Sequence, residues 1–280
     1  MRIKVISDSP CDLSAQLLAE HKIALAPLTV IKADEQFKDG VTITPADIFD
    51  HVASGGALCS TAANSIGEYA DLFEKYSQEY DGVIHITIGS GFSACYQNAT
   101  LAAEDFPNVR VIDSQNLTTG QGLVVLKACE LAKTATDLDN LADELRAYTE
   151  KIEASFLVDK LDYLVKGGRC SSAAALGANL LNLKPCIEVK NGKMTVVKKY
   201  RGNYNKCLTS YVKERLDGRE DIDRTTLFVT KTVVSDECYA NVLDAVRSCS
   251  NFEHVYETTA GCTVSCHCGP GTLGIIFVRK

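Results

Sequence analysis

Three groups of residues in this 280-residue chain have types and spacings that could do chemistry. The first is Gly89-Ser90-Gly91-Phe92-Ser93-Ala94, a G-x-G-x-x-A run after a strand-like segment and before a helical one, with Asp113 22 residues beyond Gly91. Glycines there let the backbone approach a pyrophosphate, and an acid at that spacing meets a ribose hydroxyl, so the run could serve a dinucleotide-dependent oxidoreductase. Against this, the run is not in the first βαβ unit, where that fingerprint belongs. The second group is Cys262, Cys266, His267 and Cys268, four zinc-type ligands within seven residues. Structural zinc sites combine two separated ligand pairs, and no second C-x-x-C accompanies these. Packed thiols are therefore the simpler reading, a zinc-containing regulatory module is the minor one, and no metal is expected. The third group is a set of hydroxyls at the ends of strand-like runs: Ser9, Ser90 with Ser93, and Ser114. Such groups hold a carboxylate or phosphate by hydrogen bonds without acting on it chemically. The chain has neither a G-x-x-x-x-G-K-[ST] phosphate loop nor a G-x-S-x-G nucleophile elbow. His21 and His51 fall in helical context and His85 inside an apolar strand, which leaves His267, in a turn-rich segment, as the histidine a bend could aim at a ligand. Hydroxyls, one histidine and glycine turns without a base–nucleophile pair favour a binding protein.

The elements that would position these groups alternate in the first half as βαβ units do. Arg2–Ser7 is β-branched and is broken by Asp8-Ser9-Pro10, a helix follows near Leu13–His21, and a second strand covers Ile23–Ile31 before a polar loop around Asp34–Gly40. Thr44-Pro45 with Asp47, and Ser65 with Glu68, are helix starts. Val83–Ile88 and Val109–Ile112 read as strands, and helices fill Thr119–Lys133 and Leu138–Lys151. Ligands of open parallel sheets bind beyond the carboxyl ends of the strands, where the hydroxyls lie. After residue 153 the order is mixed: Leu183–Lys190, the Asn191-Gly192 turn and Met194–Tyr200 form a hairpin by their turn chemistry. Helices near Tyr204–Leu216 and Asp236–Ser248 alternate with strands at Thr226–Val229, Glu253–Glu257 and Leu273–Val278. The fold class is α/β. A domain over 1–155 has a parallel sheet flanked by helices, and an α+β domain over 156–280 has a mixed sheet.

Composition narrows the function classes. Hydrophobic residues make up 46% and charged residues 23%, which excludes a disordered chain or a fibre. The formal charge of -7 provides no basic field for a phosphate backbone, so nucleic acid is not an expected partner. No apolar run reaches the roughly 18 residues needed to span a bilayer, and the N-terminus goes straight into a strand without an export signal. The expected setting is cytoplasmic, with the 12 cysteines as reduced, mostly core thiols.

At this resolution the residues match a known pattern. The opening strand with Asp8-Ser9, and Thr61 with Ser65 and Gly67-Glu68-Tyr69, follow a T-S-Q-P-S-P-G-E-F motif. Ser93 with Tyr96-Gln97 and Ala99 falls on S-G-T-Y-Q-S-A, and Asp113-Ser114 follows. Leu161–Arg169 reads as L-x-x-L-x-x-G-G-R, LLNLKP covers Leu180–Pro185, Tyr200-Arg201-Gly202 supplies a later R-G, and His267–Gly271 reads as H-x-G-P-G. From end to end the chain resembles the DegV family of bacterial lipid-binding proteins. It departs from the pattern at Ala62-Ala63-Asn64, which lose Ser-Gln-Pro, and at Ala94-Cys95, which replace Gly-Thr. Cys95 cannot match a hydroxyl as a donor.

The resemblance implies a two-domain protein holding one long-chain fatty acid between its domains, with no other cofactor. It implies that the chain is not itself an enzyme. It would present the carboxylate to a separate ATP-dependent fatty acid kinase subunit, which forms an acyl phosphate for phospholipid synthesis, and transient contact with a membrane surface would fit that role. By the same resemblance Thr61, Ser93 and His267 contact the carboxylate, Ser90, Cys95 and Gly269 support the site, and Arg169 and Arg201 are candidates for partner docking, with exposed salt-bridging as the plainer alternative. About 14 buried methylenes at about 0.8 kcal/mol each give roughly 11 kcal/mol before binding costs. The tail can thus supply affinity while the polar end orients the carboxylate, and a protonated His267 would offset the cost of burying it.

Overall fold

β-branched runs alternating with amphipathic helices build a first unit from Met1–Glu150 together with Gly261–Val264. The computed structural model describes residues 1–174, 183–249 and 251–280. In the first unit β1 (Ile3–Asp8), α1 (Ala15–Glu20), β2 (Ala24–Ala26), β3 (Thr29–Lys32), β4 (Glu35–Lys38), α2 (Pro45–Ala53), β5 (Ser60–Ala62), α3 (Ile66–Glu79), β6 (Gly82–Thr87), α4 (Cys95–Ala103), β7 (Val109–Asp113), α5 (Thr118–Leu131) and α6 (Leu138–Thr149) follow in order. Strands β2-β1-β6-β7 form a wholly parallel sheet. Every residue of β6 is buried, as expected of a central strand covered on both faces. The anticipated capping boxes are present at Thr44/Asp47 and Ser65/Glu68.

Two expectations need correcting. Ile23–Ile31 is two strands rather than one, because Pro27 cannot donate to a ladder. β2 stays in the parallel sheet, and β3 leaves to pair antiparallel with β4 and β5. The segment expected as a polar loop at Asp34–Gly40 is mostly strand β4. Ala33 (φ 50) and Asp34 (φ 66) are both left-handed, which makes a two-residue turn of the twist that hairpins favour.

The second unit, Lys151–Ala260 with Ser265–Lys280, carries β8 (Ile152–Val158), α7 (Asp162–Gly167), α8 (Ser171–Ala174), β9 (Leu183–Lys190), β10 (Lys193–Arg201), α9 (Tyr204–Leu216), β11 (Ile222–Lys231), α10 (Asp236–Cys249), β12 (His254–Thr259) and β13 (Thr272–Arg279). One helix, α11 (Cys262–Cys268), begins in the Gly261–Val264 segment of the first unit. The mixed sheet has the order β10-β9-β8-β13-β11-β12, with β11 and β12 its parallel pair. The β9–β10 hairpin turns at Asn191 (φ 51) and Gly192 (φ 68), as their residue types foretold. The core of this unit gathers Tyr211, Leu227, Val229, Leu273, Ile275 and Phe277 with side chains of α9 and α10. Leu180–Asn182 of the LLNLKP motif lie outside the described residues. Among the described residues no helix is long and apolar enough to cross a membrane. Among the described residues the cysteines form no disulfide, and ten of them are buried.

Candidate functional site

In the first unit the carboxyl ends of β1 and β6 meet at Asp8, whose side chain is fully buried. Its Oδ1 accepts from the Tyr69 hydroxyl of α3 at 2.8 Å and lies 3.2 Å from His85 Nε2 of β6, while Oδ2 accepts from Ile88 N at 3.0 Å. A carboxylate removed from water needs several donors, and these three supply them. Burial, then the charge of Asp8, raises the Tyr69 hydroxyl, which keeps it protonated as a donor. The sequence shows each of these residues but not their meeting. His85, inside the apolar strand β6, is buried, and its partner is Asp8.

Ser93 sits half-buried in the turn after β6, next to this cluster. Its Oγ accepts from Cys95 N at 3.3 Å and lies 3.0 Å from Cys95 Sγ. Cys95, at the start of α4, is buried, and burial pushes its thiol up to about 12, with the charge of Asp8 adding to the shift. Thr61 is half-buried on β5, opposite Val30 of β3. Asn98 of α4 donates to the Asn64 carbonyl at 2.8 Å, tying the stretch after β5 to the helix behind Ser93. Thr61, Ser93 and Cys95 thus stand on neighbouring elements. Ser90 is used differently: its Oγ donates to Asp113 Oδ2 at 2.5 Å and its N to Oδ1 at 3.0 Å. Asp113, the acid a ribose would require, also accepts from Gln115 N at 2.9 Å.

In the second unit His267 lies near the end of α11, packed on the Gly167-Gly168-Arg169 turn. A Cβ on Gly167 would come 2.6 Å from His267 Nδ1, so the motif glycine marks a close approach of backbone to ring. Burial, and secondarily the Arg169 charge, lowers the His267 imidazole from 6.5 to about 4. Desolvation disfavours the charged form and the neighbouring cation adds to the effect, so the ring is neutral at pH 7. Arg169 Nη1 donates to Gly167 O at 2.8 Å. Gly269 (φ 73) leaves α11 in the left-handed region, and a Cβ there would meet the Tyr163 ring at 2.5 Å. Arg201 is exposed at the end of β10, and no ion pair involves it among the described residues.

Sequence reading missed the anchorage of α11. Within the first unit, Asp39 Oδ1 accepts from Cys262 N at 2.9 Å, and its Oδ2 accepts from Thr263 N at 3.3 Å, Thr263 Oγ1 at 2.7 Å and Ser9 Oγ at 2.9 Å. Asp12 Oδ1 accepts from Gly261 N at 2.9 Å and its Oδ2 from Thr118 Oγ1 at 2.6 Å. A buried carboxylate at the start of a helix satisfies its orphan N–H groups and complements its dipole. Burial raises Asp12 to about 7, and the Asp39 charge adds to this. Cys262 and Cys266 are an i,i+4 pair on one face of α11, whereas Cys266, His267 and Cys268 are adjacent positions that point apart, so the four do not converge on one point. Cys262 Sγ donates to Ile43 O at 3.2 Å, and no group of three His, Cys, Asp or Glu side chains among the described residues could hold a metal. A cavity of about 520 Å³ opens in the first unit at the amino end of β1, lined by Arg2, Lys4, Lys22 and Tyr80 among others, and none of the site residues lines it.

Comparison with known proteins identifies relatives of the whole chain. A family model described as "Uncharacterised protein, DegV family" matches residues 2–280. Protein DegV of Bacillus subtilis is 29% identical over 287 residues, covering 100% of both chains, and a DegV domain-containing protein of Clostridium perfringens is 29% identical over 281 residues, covering 100% of this chain and 99% of the relative. Among solved structures, a fatty-acid-binding DegV family protein from Thermus thermophilus superposes with a TM-score of 0.89 at 28% identity, covering 100% of both chains. A stearic-acid-binding protein from Eubacterium ventriosum gives 0.80 at 27% identity, covering 99% of this chain and 98% of that one. With the parallel sheet, the mixed sheet and a match running almost from the first residue to the last, this chain belongs to the DegV family.

Proposed function

We propose that this protein binds one long-chain fatty acid, with Thr61 and Ser93 of the first unit and His267 of the second as its carboxylate ligands, and presents that carboxylate to an ATP-dependent kinase subunit. The observation that carries the reading is the full-length likeness to proteins that bind fatty acids. The chemistry of the residues supports it. Ser93 and Thr61 offer hydroxyl donors, and a neutral His267 can hydrogen-bond a carboxylate without bringing a buried charge of its own. An arriving carboxylate raises the affinity of the imidazole for a proton, so binding is accompanied by proton uptake at mildly acidic pH. The chain then acts as a binding and presenting subunit, and the phosphoryl donor belongs to the partner. Arg169 and Arg201 are the proposed docking residues. Residues 160–206 carry ten Lys and Arg against two Asp and Glu, a local excess of positive charge that suits an acidic partner surface. Cysteines outside disulfides fit a reducing, cytoplasmic setting.

The dinucleotide alternative is less well supported, because Asp113 already accepts from Ser90 and Gln115. Native mass spectrometry of the purified protein, followed by organic extraction, tests the proposal. About one long-chain acid per chain is expected, and Ser93→Ala and His267→Ala are expected to lower its retention. A chain that is empty and also refuses added fatty acid would refute the reading.

A further inference from the structure

Two residues that depart from the family's sequence pattern meet each other in the first unit. Position 64, proline in T-S-Q-P-S-P-G-E-F, is Asn64, and position 98, serine in S-G-T-Y-Q-S-A, is Asn98. Asn98 Nδ2 donates to the Asn64 carbonyl at 2.8 Å, and Asn64 is buried, so water contributes little to satisfying that carbonyl. A serine at position 98 would reach one bond less far. Proline restrains its own backbone through a fixed φ; asparagine has no such restraint, and the bond from Asn98 supplies one from outside.

Both ends of this bond are fixed, and each lies a few residues from a proposed carboxylate ligand. Thr61, three residues before Asn64, is paired with Val30 on β3. The Asn64 side chain accepts from Lys38 Nζ at 3.4 Å, and the same ammonium reaches Glu68 Oε1 at 2.6 Å and Thr29 Oγ1 at 3.1 Å. Glu68 in turn closes the capping box on Ser65, so the segment from β5 into α3 is pinned to β3 and α3. On the other side Ser93 Oγ accepts from Cys95 N at 3.3 Å, which ties Ser93 to the first turn of α4. Asn98 lies on that same turn, with its N bonded to Ala94 O at 2.9 Å. The Asn98–Asn64 bond therefore joins the segment that holds Thr61 to the helix that holds Ser93.

We propose that Asn98 is a positioning residue for the fatty acid carboxylate: its bond to the Asn64 carbonyl fixes the spacing of the Thr61 and Ser93 hydroxyls, in place of the missing proline. This rests on the fatty-acid reading above and adds how two of its donors are held at a set separation. A carboxylate gripped by two hydroxyls needs both at once, and donors held in place beforehand lose less freedom when it arrives. Asn98 acts through the Asn64 backbone, so its loss weakens the orientation of the head group and leaves burial of the tail as it is.

The test uses the full chain, delipidated and then loaded with stearate carrying carbon-13 either at the carboxyl carbon or at the terminal methyl, with NMR spectra and retention both measured. Asn98→Ala and Asn98→Ser are expected to shift the carboxyl resonance and leave the methyl resonance in place. Retention should fall about three- to tenfold, the worth of one ordinary hydrogen bond. Asn64 has no positive φ, and its N–H has no hydrogen-bond partner among the described residues, so proline is admissible there. In an Asn64→Pro background the ring supplies the restraint, and the same Asn98 changes should cost less than about twofold. Bound stearate whose carboxyl resonance is unmoved in both Asn98 variants, or whose methyl resonance moves with it, overturns the positioning role and leaves the fatty-acid reading standing. An equal loss of retention in the two backgrounds does the same. Failure of the wild type to take up stearate at all overturns both.

Discussion

Gly167→Ala sets two effects of known size against each other. Gly167 is the last residue of α7 and has no positive φ, so alanine is allowed there and would normally stabilise the helix by up to about 1 kcal/mol through propensity and unfolded-state entropy. The added methyl, however, would sit 2.6 Å from His267 Nδ1 and within 3.6 Å of its Cβ, so the ring as a whole must move and not merely its tip. Forcing a buried side chain off its position costs about 1–3 kcal/mol, so the clash should win by about 1 kcal/mol in the wild type. In a His267→Ala background the obstacle is gone and only the helix gain remains, so the same substitution should become stabilising. The difference between the two backgrounds is the coupling energy, expected at about 1–3 kcal/mol. Urea denaturation of the wild type, both single variants and the double variant measures it. The single Gly167→Ala change should also reduce fatty acid retention, because it displaces the imidazole without removing it. Equal effects of Gly167→Ala in both backgrounds would refute the contact and, with it, the explanation of why this motif contains glycine.

Three further outcomes follow from the buried carboxylates and the imidazole. Asp39→Ala leaves Cys262 N, Thr263 N, Thr263 Oγ1 and Ser9 Oγ without their acceptor and should destabilise the protein by about 3–5 kcal/mol; a loss under about 1 kcal/mol in denaturant unfolding would contradict the anchoring role. Asp12 is raised from 3.8 to about 7 by burial, so its contribution is fully present below about pH 4 and is lost as pH rises through 7; Asp12→Asn should remove a loss on the order of 2–4 kcal/mol, seen as higher stability relative to wild type at pH 8 than at pH 4. His267 is lowered from 6.5 to about 4, so it contributes in the opposite sense, with stability present above pH 6.5 and lost as pH falls through 4; His267→Asn should flatten that slope, worth on the order of 2–3 kcal/mol, and an unchanged pH profile would show that the ring is not desolvated.

What the sequence made legible was local. Capping boxes at Thr44/Asp47 and Ser65/Glu68, the Asn191-Gly192 turn and the buried run of β6 depend on residues within a few positions of one another, and the structure has them where the spacing places them. The Ile23–Ile31 strand failed for an equally local reason that was in plain view: Pro27 lies inside it. The candidate site was legible only as separate residue types. Asp8 and Tyr69 are 61 positions apart, Asp39 and Cys262 are 223 apart, and Gly261 and Asp12 are 249 apart, so no periodicity or spacing argument can pair them.

One class of long-range contact nevertheless leaves a trace in sequence. A hydrogen-bonded pair such as Asp39 and Thr263 uses ordinary polar residues that occur everywhere. A backbone pressed against a side chain excludes every residue but one. Gly167 faces the His267 ring and Gly269 faces the Tyr163 ring, and these glycines belong to two motifs about 100 residues apart, L-x-x-L-x-x-G-G-R and H-x-G-P-G, each supplying the glycine for a side chain of the other. The two motifs are therefore halves of one packing arrangement. The same reasoning separates the roles of the second unit's conspicuous residues: Gly167 and Gly269 make room, Tyr163 fills it, and His267 is left as the polar group at their centre, held neutral by the burial they create.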